Sequence, residues 1–118
     1  MSVVTAFADL SPAEQFILIE SRGDVLLWEI VAAWTDNAGE QERRRAVPIL
    51  RDAVLSLVQR GLVDVHDFPA WPPDWQQAVP VPPAAVAALT ADVENWLWRD
   101  GDISLVTVST SEAGAGLT

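Results

Sequence analysis

The chain has 118 residues, with 17 acidic side chains against 7 basic ones (all Arg), one His and no Cys, for a formal charge of −10. Half of the residues are apolar, which excludes a disordered acidic tail, and the missing Cys excludes disulfides, thiol catalysis and thiolate metal sites. The length fits one domain, 1–118, and the charge repels nucleic acid and anionic membrane at long range.

Ser11-Pro12-Ala13-Glu14 reads as a helix start, with Ser11 as cap, Pro12 at the first helical position and Glu14 closing a capping box. This first helix is expected to run to about Arg22 and to stop at Gly23. Asp24 can cap a second helix from Val25 to about Thr35, with Leu27, Ile30, Val31 and Trp34 on one stripe. Val25, Trp28 and Ala32 point elsewhere on it, so the helix is apolar almost all round and suits burial on several sides or an interface. Asp36-Asn37-Ala38-Gly39 is a turn. A third helix ends at Arg60-Gly61, and Pro48 either begins it or kinks a longer one that starts near Glu42. From Pro48 on, Leu50, Ala53, Val54, Leu57 and Val58 share a face, and Leu62 to His66 reads as a strand.

Residues 67–84 are rich in Pro and Trp. Trp71 and Trp75 are costly to leave in water, so the segment reads as an ordered loop. A short helix from about Pro83 to Leu89, a turn or helix over Asp92–Trp98 and a tight turn at Asp100-Gly101-Asp102 follow. Ile103 to Thr110 alternates as a strand, with Ile103, Leu105 and Thr107 on one face and Ser104, Val106 and Val108 on the other. Ser111 onward starts a turn of helix. The longest apolar run, Val25–Trp34, is broken by Glu29 and is about half of the roughly 20 residues that a membrane span needs. The first residues lack a basic segment ahead of an apolar run, so no signal peptide is expected and a cytoplasmic location is.

The order helix, helix, helix, strand, loop, strand resembles a winged helix-turn-helix domain. Leu55-Ser56-Leu57-Val58-Gln59-Arg60-Gly61-Leu62-Val63-Asp64-Val65 looks like the end of a recognition helix running into a first wing strand. Val106-Thr107-Val108-Ser109-Thr110-Ser111-Glu112-Ala113-Gly114 resembles the second wing strand and the short turn after it. The resemblance covers residues 11–66 and 103–114, and the chain is similar to small actinobacterial winged-helix proteins of unknown function. It implies an α+β fold: a three-helix core, a two-stranded antiparallel wing and a long Pro/Trp-rich insertion, 67–102, between the wing strands. A wing of this kind is ordinarily joined by a few residues, and here the joining segment holds four of the six Trp.

In a DNA-reading winged helix the outward face of the third helix enters the major groove. Here that face, counted at 100° per residue, holds Pro48, Asp52, Leu55, Ser56 and Gln59. Asp52 repels phosphate and Leu55 is apolar, so the face suits a protein partner or a second copy better than a duplex. The opposing signal is the segment from Glu40 to Arg60, which is net positive: Arg43, Arg44, Arg45, Arg51 and Arg60 against Glu40, Glu42 and Asp52. Arg43, Arg44, Arg45 and Arg51 on phosphates with Gln59 on a base would make a DNA-binding transcriptional regulator. The same Arg run also reads as solvated charge paired with nearby acids. His66 between Asp64 and Asp67 lacks a nucleophile motif or further metal ligands, and there is no glycine-rich phosphate loop. The expectation is therefore a non-enzymatic, cofactor-free and metal-free acidic domain that acts through protein contacts. Its candidate contact residues are Trp28, Asp52, Leu55 and Gln59, with Trp96 and Trp98, whose spacing prevents burial of both on one face.

Overall fold

The computed structural model describes residues 6–68, 75–97 and 105–117, with Trp75 described by its backbone alone. Helix α1 spans Pro12–Glu20. Its first turn closes as the sequence predicts: the Glu14 N–H donates to Ser11 Oγ at 3.2 Å, and the Ser11 N–H donates to the Glu14 carboxylate at 2.9 Å. The helix ends at Glu20 rather than near Arg22, and Ser21–Gly23 tightens into a 3-10 turn.

The second helix differs from expectation at its start. Val25–Leu26 is a strand, β1, and helix α2 begins only at Leu27 and runs to Trp34. Asp24 does not cap it. Asp24 sits at φ 44°, ψ 109°, and the chain leaves it extended. The cap is Glu29, whose carboxylate accepts the Leu26 N–H at 2.9 Å. Val25 and Leu26 are drawn out of the helical pattern by antiparallel pairing with Val108 and Thr107. The helical periodicity of a two-residue stretch is a weak signal, and tertiary hydrogen bonds outweigh it.

Helix α3 runs without interruption over Glu40–Gln59, with Pro48 inside it. Of the two readings of Pro48, the longer helix is the one observed. Pro48 is exposed, so the backbone bond it cannot make is lost on the solvent side, where water can serve the carbonyl four residues back. Glu40 and Glu42 in the first turn suit the positive end of the helix. At the other end Gly61 takes φ 72°, and the Leu62 N–H reaches the Leu57 carbonyl at 2.9 Å while the Gly61 N–H reaches that of Val58 at 3.0 Å. This is a Schellman stop, and it aims the chain into the sheet.

The sheet has four antiparallel strands, not the two of a simple wing. They are β1, β2 (Val63–Phe68), β3 (Val79–Pro80) and β4 (Leu105–Thr110), in the order β1-β4-β2-β3. The expected pair is at its centre, registered from Val63 opposite Thr110 to Phe68 opposite Leu105. The insertion supplies β3, through His66 opposite Pro80 and Asp67 opposite Val79. The pleat sends Val25, Val63, Val65, Val106 and Val108 toward the helices, into one core with Ile17, Leu18, Ile30, Val31, Leu50, Val54 and Leu57. Leu26, Phe68 and Leu105 form a smaller cluster with Trp28 and Ala78 packed on it.

The later part of the insertion belongs to the main core. Helix α4 (Pro83–Ala91) runs past the expected Leu89, and a 3-10 turn over Val93–Trp96 follows, capped by Asp92. Val86, Thr90 and Trp96 are buried. Helix α5 (Glu112–Ala115) is capped by Ser111, whose hydroxyl accepts the Gly114 N–H at 3.1 Å and donates to the Gly61 carbonyl at 2.6 Å. This brings Gly114 hard against the backbone of Leu62, where a Cβ would meet the Leu62 carbonyl oxygen and the Thr110 methyl group. A Gly114→Ala variant is therefore expected to lose about 1–3 kcal/mol, read as a lower urea midpoint at unchanged slope. An unchanged midpoint would show that the α5 turn moves away freely.

Candidate functional site

The exposed side of α3 is a stripe at helical spacing, Glu42, Arg45, Ile49, Asp52 and Ser56, flanked by the end of α2 and the start of α1. Two open depressions lie along it. One, of about 460 Å³, is lined by Ser11, Pro12, Glu14, Trp34, Ile49 and Asp52, with Ala13, Ala53 and Ser56. The other, of about 280 Å³, is lined by Trp34, Thr35, Ala38, Glu42, Arg45, Ala46 and Ile49. Trp34 and Ile49 line both, so the two depressions make one furrow with an apolar waist. Trp34 is held edge-on by Phe16 at a ring-centroid distance of 5.1 Å. Ile49 is 54% exposed, a large apolar side chain held in solvent.

One wall carries a buried carboxylate. Glu14 is 7% exposed and accepts the Ser56 hydroxyl at 2.7 Å in addition to the Ser11 N–H, with Arg60 at 3.9 Å. Burial pushes its pKa up. The hydrogen bonds from Ser11 and Ser56, with the Arg60 charge, outweigh that and hold it below the ordinary 4.5. Asp52, on the same wall, is exposed and has no ion pair among the described residues.

The Arg run is engaged within the molecule. Arg43 Nε donates to the Ala38 carbonyl at 2.7 Å. Arg44 bridges Glu40 at 3.0 Å and Glu94 at 2.9 Å, and these two carboxylates raise its pKa. Arg45 pairs with Glu42 at 2.5 Å. Arg51 reaches over to α4 and donates to the Ala87 carbonyl at 3.0 Å. Local pairing with acids describes two of these contacts, Arg44 with Glu40 and Arg45 with Glu42, and the Glu94 and Ala87 contacts tie α3 to the insertion.

No family model, curated protein or solved structure matches the chain.

The structure separates the candidate contact residues. Asp52 and Gln59 are exposed on α3. Leu55 is half-buried and packs on the main core, and Trp28 is half-buried on the smaller cluster, away from the furrow lining. Trp96 is 0% exposed, and its indole N–H donates to the Thr90 carbonyl at 3.0 Å. Full burial removes Trp96 from any contact surface as folded. Trp98 lies outside the described residues, as do Trp71, the Trp75 side chain, Arg99, Asp100-Gly101-Asp102, Ile103 and Ser104. Among the described residues no group of three His, Cys, Asp or Glu is placed to hold a metal ion, and no helix is long and apolar enough to cross a membrane.

Trp34 and Ile49 are the residues that sequence reading did not put on the surface. Trp34 shares the apolar stripe of its helix, which reads as core. Ile49 adjoins Leu50, but it falls off the face set by Leu50, Ala53, Val54 and Leu57. That displacement is the signal that could have found it.

Proposed function

We propose that the chain is a non-enzymatic, acidic winged-helix-like domain that works through protein contacts, as an adaptor, an inhibitor or a self-associating module. The order α1, β1, α2, α3, β2, β4, with β1 pairing on the free side of β4, supports the winged-helix part of this reading. The contact part rests on one observation. The Arg side chains that would grip phosphate are already bonded within the molecule, while the furrow along α3 offers Ile49, Trp34 of α2 and the Asp52 carboxylate.

Two measurements test this. Light scattering after size exclusion, with random duplex DNA at low salt, is expected to show no shift, and Arg44→Ala is expected to change nothing in that assay. A shift that vanishes with salt and is abolished by Arg44→Ala would establish the DNA-binding regulator in its place. A photo-crosslinking residue placed at position 49 is expected to capture a discrete protein in cells. One placed at Asp64, on β2, is not.

A further inference from the structure

The charge and shape of the furrow define its occupant more narrowly; this inference rests on the protein-contact reading. The stripe from Glu42 to Ser56 covers about 21 Å of α3, at about 1.5 Å per residue, which is the length of a four-turn helix. Its waist is apolar on both sides, Trp34 from α2 and Ile49 from α3. Arg45, the cation of its lining, is paired with Glu42, and the lining carboxylate of Glu14 has Arg60 beside it. The first turn of α1 lines one end, and its positive pole is met by the Glu14 carboxylate. Of the charged residues that line it, the one without an ion pair to another described residue is Asp52, on a chain of net charge −10. A second copy would bring another −10 to the same place, so like-charge repulsion disfavours self-pairing on this face.

We propose that the furrow receives a basic amphipathic helix from a different protein. Apolar side chains one turn apart seat against Trp34 and Ile49, and an Arg or Lys of the partner reaches Asp52. This is the helix-in-groove mode of recognition, with the negative field of the whole chain speeding encounter.

The test is to pan a displayed library of helical peptides of about 14 residues against the intact chain and to measure the selected peptides by titration calorimetry. The expected winners are net positive, with an apolar pair at i and i+4. Ile49→Glu should weaken them by about tenfold or more, although it makes the chain more acidic. That sign separates a seated helix from non-specific attraction of cations. Asp52→Arg should weaken them by about tenfold, and Asp64→Arg, the same charge change on β2, should leave them nearly as tight. Circular dichroism melts confirm that each variant is folded. Neutral or acidic winners, or basic winners that bind Ile49→Glu as tightly as the parent, overturn the proposal. A concentration-dependent dimer that Ile49→Glu dissolves also overturns it, by making a second copy the occupant, yet leaves the protein-contact reading standing. Salt-sensitive DNA binding lost in Arg44→Ala overturns both.

Discussion

Replacing Trp96 by Ala is expected to cost about 3–5 kcal/mol, the largest loss of any single substitution considered for this chain. Trp96 is the largest fully buried side chain among the described residues, and it sits on the 3-10 turn that follows α4, within the same core as Ile17, Ile30 and Leu50. Its removal leaves a cavity among side chains from α2, α3 and α4, and it strands the Thr90 carbonyl that its indole N–H serves. A domain of this size holds about 5–15 kcal/mol in total, so the loss is a fifth of that or more. Urea unfolding followed by circular dichroism measures the loss. Trp96→Phe keeps a ring and drops the donor, so it should fall between the two. If Trp96→Ala unfolds at the parent midpoint, the insertion is not part of the cooperative unit.

That result would also bear on what the sequence could show. Local chemistry was readable: the Ser11–Glu14 capping box, the Gly61 stop and the alternation of Leu105, Val106 and Val108 need only neighbours a few residues away. What escaped reading depends on partners distant in the chain. Val25 and Leu26 look helical until β4, more than eighty residues later, offers hydrogen bonds. The insertion looks like an appendage until Val86, Thr90 and Trp96 are seen inside the core, and until β3 extends the sheet that two strands were expected to make.

The candidate site follows the same rule. Counting along one helix puts Asp52 on the exposed face, and it is there. Leu55, on the same count, turns partly inward because the core on that side of α3 is wider than a single stripe. The furrow itself could not be counted, because it is made where α1, α2 and α3 meet, and no one helix contains its walls. The Arg run shows the converse. Its spacing suggests phosphate, and the carboxylates that claim it include Glu94, fifty residues on.

Glu14 joins these two levels, and its replacement should show both. Glu14→Ala leaves the Ser11 cap in place but removes the carboxylate that accepts the Ser11 N–H and the Ser56 hydroxyl, charge-assisted hydrogen bonds worth about 1.5–3 kcal/mol each. A total loss of about 3 kcal/mol is expected, with partial retention in Glu14→Gln, whose amide oxygen can still accept one of these donors. The pH dependence follows from the direction of the pKa. The folded protein holds this carboxyl below its ordinary 4.5, so the folded state binds its proton less readily than the unfolded state. The stabilisation is then full above about pH 4.5 and drains away as pH falls through the lower, folded value. The gap in stability between the parent and Glu14→Gln should accordingly be widest near neutral pH and narrow on acidification below 4.5. A gap that stays constant down to pH 3 would mean that the α1–α3 junction is held by packing of Ile17 and Leu57, with the carboxylate contributing nothing as a charge.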